Sequence, residues 1–132
     1  MTTPDLNVLF TKEKLQSIFP AERANEFFEA LYGDVEEGVY DISLEFSGYS
    51  PETSRLVFHL NLTERPGKCL ACNLPYGLPE VFSRHPIINI NGVVDEVDAL
   101  LGDSLSCNAW SLGSTQPVNK QLYKIPLTIE VS

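Results

Sequence analysis

Three cysteines and two histidines are the side chains of this chain best suited to chemistry, and four of the five converge on one idea. Cys69 and Cys72 form a Cys-x-x-Cys inside the run Arg65-Pro-Gly-Lys-Cys-Leu-Ala-Cys-Asn-Leu-Pro-Tyr-Gly-Leu-Pro79. Two thiolates at this spacing can chelate one zinc or another soft metal, and a tetrahedral site then needs two more ligands. His85 and Cys107 are the candidates, giving a Cys3His site that would stitch the loop to the rest of the fold. Zinc signatures with two close ligand pairs are more specific than this one, which has a single pair. The same thiols could act in redox exchange. Such motifs usually open a helix behind a strand, however, and Cys72 is followed by Asn-Leu-Pro-Tyr-Gly. A third reading is plain packing or partner contact, since free Cys is among the most buried residue types.

Charge sharpens the question. The chain carries 9 basic and 18 acidic residues, net -9. Residues 55–85 nevertheless hold four basic side chains (Arg55, Arg65, Lys68, Arg84), two acidic ones (Glu64, Glu80) and both histidines. Basic neighbours favour thiolate and could hold an anionic ligand. A nucleophile–base pair of Cys69 or Cys72 with His85 lacks a third, orienting residue. There is no Gly-x-Ser-x-Gly, no phosphate-cradling Gly-rich loop and no His-Glu-x-x-His. The expectation is a non-enzymatic module.

The elements that must position these residues follow from hydrophobic periodicity. Thr11 caps a helix over 12–19, with Leu15, Ile18 and Phe19 on one face. Pro20 suits the first turn of a second helix over 21–32, where Ala24, Phe27, Phe28, Leu31 and Tyr32 form the apolar stripe and Gly33 the left-handed cap. From 39 to 47 the period becomes two, with Tyr40, Ile42, Leu44 and Phe46 inward. Gly48 to Glu52 reads as a turn, and Leu56, Phe58, Leu60 and Leu62 as the returning strand, with His59 on its exposed face. Residues 65–86 form a proline-rich insertion with a short helical turn at 79–84. Asn91 caps a helix over 92–101, closed by Gly102 and showing Asp95, Glu96 and Asp98 to solvent. Strands at about 105–112 and 121–131 complete the chain, and Pro126 predicts an edge position or a bulge for the last one.

Glu29-Ala-Leu-Tyr-Gly-Asp34 reads like Asp98-Ala-Leu-Leu-Gly-Asp103, and strand, loop and strand follow each. Two helix-β-β units related by duplication would give an α+β fold: a four-stranded antiparallel sheet with its helices on one face. Chance is the competing account, because Gly is the favoured helix cap. The length of 132 residues fits a single domain, 1–132, behind a loose arm at 1–9.

Composition excludes several classes. The acidic balance argues against a nucleic-acid surface and against docking on anionic lipid. No apolar run reaches the roughly 20 residues of a membrane span. Without a basic-then-apolar leader, and with an odd number of thiols, the chain reads as cytoplasmic. Arg65-Pro-Gly-Lys-Cys through Tyr76-Gly-Leu-Pro, with Phe82-Ser-Arg-His-Pro-Ile-Ile, resembles a small family of uncharacterised bacterial proteins of about this length. The resemblance implies a bacterial, cytoplasmic origin and no activity. Two functions are therefore expected. One is a zinc or soft-metal module built on Cys69, Cys72, His85 and Cys107. The other is a protein-interaction or homodimer-forming module, in which Tyr76, Leu78 and Phe82 face the partner, with Trp110 either in the core or in that patch. A thiol sensor is the third possibility.

Overall fold

The structure is a computed structural model and describes residues 9–33, 39–68, 77–102 and 105–132. Its class is α+β, as the alternating and helical periods require. Among the described residues four helices, α1 (Lys12–Ile18), α2 (Glu22–Tyr32), α3 (Leu78–Arg84) and α4 (Ile90–Leu101), accompany five strands. These are β1 (Tyr40–Ser50), β2 (Arg55–Glu64), β3 (Cys107–Leu112), β4 (Gln116–Asn119) and β5 (Leu122–Val131). The sheet is antiparallel, in the order β1-β2-β5-β3, and β4 pairs with β5 beyond the end of β3. β2 and β5 thus lie side by side at the centre, with β1 outside one and β3 and β4 outside the other.

One face of the sheet is covered. Leu56, Phe58, Leu60 and Leu62 of β2 stand opposite Ile129, Leu127, Ile125 and Tyr123 of β5. All eight are buried in one cluster with Phe27, Phe28 and Phe82 from the helices. Each such side chain withdrawn from water contributes about 1.5–3 kcal/mol before entropy is counted. The alternate residues of β2 and β5 (Val57, His59, Asn61, Lys124, Pro126, Thr128) face the other way and are only partly covered.

The helix ends obey local chemistry. Thr11 Oγ1 accepts the Lys14 N–H at 3.3 Å, and Gly33 takes the left-handed conformation that closes α2. The last helix starts earlier than its sequence suggests. Asn89, at φ 49°, caps α4 by accepting the Gly92 N–H at 3.2 Å, so Ile90 turns inward as the first helical residue. Asn91 is left to accept the Trp110 indole N–H at 2.8 Å. Gly48 belongs to β1 and marks an irregular register opposite Val57. The chain reverses later, through Pro51–Ser54.

Two further strand expectations are corrected. β5 lies inside the sheet, not at its edge. Pro126 is tolerated because a strand residue points its N–H and C=O to the same side. Its carbonyl accepts the Gly113 N–H at 2.8 Å, so its missing donor faces the gap between β3 and β4. A Cβ on Gly113 would stand 2.7 Å from Pro126 Cγ, and this crossing requires glycine. β4 went unrecognised because Gln-Pro-Val-Asn is exposed throughout and shows no alternation. No described helix is long and apolar enough to cross a membrane.

Candidate functional site

The four residues expected to hold a metal divide into two groups. Cys69 and Cys72 lie outside the described residues, as does Tyr76. His85 follows α3 and packs edge-on against Phe27, with ring centroids 4.8 Å apart. Its Nδ1 accepts the Ile87 N–H at 3.2 Å. That bond occupies the Nδ1 lone pair. Cys107 opens β3, where its N–H donates to Asp98 Oδ1 at 2.9 Å. Burial first, then the Asp98 and Asp95 carboxylates, push its thiol up to about 11. This setting favours the protonated form of the free thiol. Among the described residues no group of three His, Cys, Asp or Glu side chains is placed to hold a metal ion. A site built on Cys69 and Cys72 lies outside the described residues.

Arg55 leaves the basic cluster of the sequence, while Lys68 stays beside Arg65, whose carbonyl accepts its N–H at 3.1 Å. Arg55 and Arg65 flank the two ends of β2, which at about 3.3 Å per residue are some 30 Å apart. Arg55 pairs with Glu130 at 3.7 Å and Arg84 with Glu80 at 3.4 Å. Arg65 is anchored on the fold: its Nε donates to Asp41 at 3.1 Å, its Nη2 to Asn25 at 2.7 Å, and its guanidinium lies over Phe28. Phe82, expected to face a partner, is fully buried against Phe27, and Leu78 packs on the core. Trp110 is half-buried on β3 and tied to α4 through Asn91.

An opening lies at the β1 edge of the sheet. A cleft of about 450 Å³ runs between α1 and β1. Phe10, Lys12, Leu15 and Gln16 line it from the helix side, Ser43, Leu44, Glu45 and Phe46 from β1, and Asn61 from β2. Successive strand residues point to opposite faces, so a cleft lined by four in a row touches the strand from its side. Among the described residues β1 pairs only with β2. The cleft therefore abuts the lateral edge of β1, where backbone groups are not spent on a neighbouring strand. Phe10, Phe46 and Phe58, with ring centroids 5.1–5.2 Å apart, wall off its end near the β1 irregularity.

Its electrostatics are set by the open face of the sheet. Glu45 stands directly opposite His59 on β2 and reaches Lys124 Nζ on β5 at 3.0 Å, so an ion pair spans the strand between. The His59 imidazolium is disfavoured, first by burial and then by Lys124, with Glu45 opposing. His59 Nδ1 and Asn61 Oδ1 are buried and find no hydrogen-bond partner among the described residues.

Sequence reasoning missed this site because it depends on strand order. The available signal was Asp41 and Glu45 on the wet face of β1, since charges are a common guard on an edge strand. Comparison of the chain with protein-family models, curated proteins and solved structures finds no match. The site is therefore argued from its own residues.

Proposed function

We propose that this protein is a non-enzymatic interaction module that takes an extended segment of a partner protein onto the edge of β1. The observation that carries this reading is the cleft along Ser43–Phe46, where a strand edge faces α1 across open space. An added strand draws its affinity from main-chain hydrogen bonds and its specificity from alternate side chains. The apolar side chains of Phe10, Leu15 and Leu44 offer contact to one face of such a strand. Ser43 and Glu45 face the other side of such a strand.

Nuclear magnetic resonance titration with a synthetic Thr-Val alternating octapeptide tests the reading. Binding is expected to shift and protect the amides of Tyr40–Phe46. Filling the cleft with Gln16→Trp should abolish it, as should methylating alternate peptide nitrogens, which removes the donors but keeps the side chains. Unchanged binding to Gln16→Trp, or shifts confined to the other edge of the sheet, would contradict the reading.

A further inference from the structure

We infer that the segment received by β1 is basic on one face and apolar on the other, an inference that rests on the edge-strand reading above. A sixth strand continues the alternation of the sheet. Its residues beside Ile42, Leu44 and Phe46 fall on the helix side, where Leu15 and Phe10 close the cleft. Those beside Asp41, Ser43 and Glu45 fall on the open side.

On that open side the outermost strand carries only acids and a hydroxyl over Asp41–Glu45. Asp41 and Glu45 are 67% and 47% exposed, and each is held through a single oxygen. Arg65 Nε meets Asp41 Oδ1 at 3.1 Å, and Lys124 Nζ meets Glu45 Oε1 at 3.0 Å. Both bases come from strands or loops further into the sheet. The second oxygen of each carboxylate is without a partner among the described residues. Lysine or arginine at alternate positions of the incoming strand would stand directly across from these carboxylates, the cross-strand placement in which opposite charges stabilise. The net charge of -9 adds long-range attraction for the same partner. Lys12 enters the cleft from α1, on the side where the partner's residues are apolar.

The same geometry disfavours pairing with a second copy of this chain in the register centred on Ser43. Two β1 strands pairing antiparallel about Ser43 would set Asp41 of one against Glu45 of the other. The two-fold axis would repeat that clash, and like charges directly opposite destabilise a sheet. A basic partner satisfies the edge that self-pairing would violate.

Fluorescein-labelled Lys-Val, Thr-Val and Glu-Val alternating octapeptides, titrated against the full chain by anisotropy, separate the possibilities. The Lys-Val probe is expected to bind about tenfold more tightly than Thr-Val, with Glu-Val weakest and the spread shrinking at high ionic strength. The double variant Asp41→Asn with Glu45→Gln should bring Lys-Val to the level of Thr-Val while leaving the thermal midpoint close to that of the parent. Equal binding of all three probes would overturn the charge preference and leave the edge reading intact, as would a preference that survives in the double variant. Failure of every probe, with no shift at β1, would overturn both.

Discussion

At one edge of the sheet, β1 pairs with β2 in unbroken register from Tyr40 to Phe46. At the other, β3 and β4 divide the outer side of β5 between them, six residues and four, with Gly113–Thr115 crossing from one to the next. The split edge carries the usual defences against strand addition: short segments, an irregular register at each, and Pro117, which cannot donate. It is also backed by helix α4, through Trp110 to Asn91 and Cys107 to Asp98. β1 keeps a continuous edge, guarded on its wet face by Asp41 and Glu45 and set beside an open cleft. Charge discourages acidic and identical strands but admits basic ones, whereas a broken backbone discourages all. On the proposed reading the first is the edge of a selective receptor and the second is a closed one.

The contrast can be broken at its foundations. Phe58→Ala removes the buried ring that Phe10 and Phe46 both touch, and should cost about 3–5 kcal/mol in urea unfolding. The β1 end of the cleft should loosen first, visible as faster amide exchange at Phe46 than at Trp110. At the opposite edge, Gly113→Ala drives a methyl into the Pro126 ring, with an expected loss of about 1–3 kcal/mol. It should leave peptide binding at β1 unchanged. A binding defect in Gly113→Ala would mean that the two edges are not independent.

The two sides also answer pH in opposite directions. Cys107 on β3 has its thiol raised to about 11, so between about 9 and 11 the unfolded chain releases a proton that the folded chain retains. Stability is then fully present below about 9 and declines as pH rises through 11, and Cys107→Ala should flatten that limb. His59, between β1 and β5, has its pKa lowered by burial and by Lys124. Its unfolded form takes up a proton first as pH falls below about 6.5, so stability is full above that value and declines on further acidification. His59→Gln should remove this acid slope. The smallest expected effect belongs to Gln16→Trp, on the exposed face of α1, which should change stability by less than about 0.5 kcal/mol while closing the cleft.

Much of this architecture was legible in the residues. The 3.6 period of Ala24, Phe27 and Phe28 and the strict alternations at 40–46, 56–62 and 123–131 place α2, β1, β2 and β5 and assign their buried faces. What periodicity does not carry is which strand lies beside which. Pro126 argues for an edge when β5 is considered alone. Only the gap at Gly113 shows how an interior strand accommodates it. Asn89 and Asn91 are equivalent as sequence signals for a cap, and burial of Ile90 decides between them. The basic cluster of the linear chain loses Arg55 once β2 holds Arg55 and Arg65 at opposite ends. The cleft was invisible for the same reason, since it joins Gln16 to Ser43 only after β1 is known to have one neighbour.

The most direct test of the central claim is hydrogen exchange, residue by residue, with and without the Lys-Val octapeptide. The account requires new protection along Tyr40–Phe46, none at Cys107–Leu112, and loss of that protection in Gln16→Trp. Protection appearing at β3 or β4 instead, or no change at β1 under saturating peptide, would contradict it.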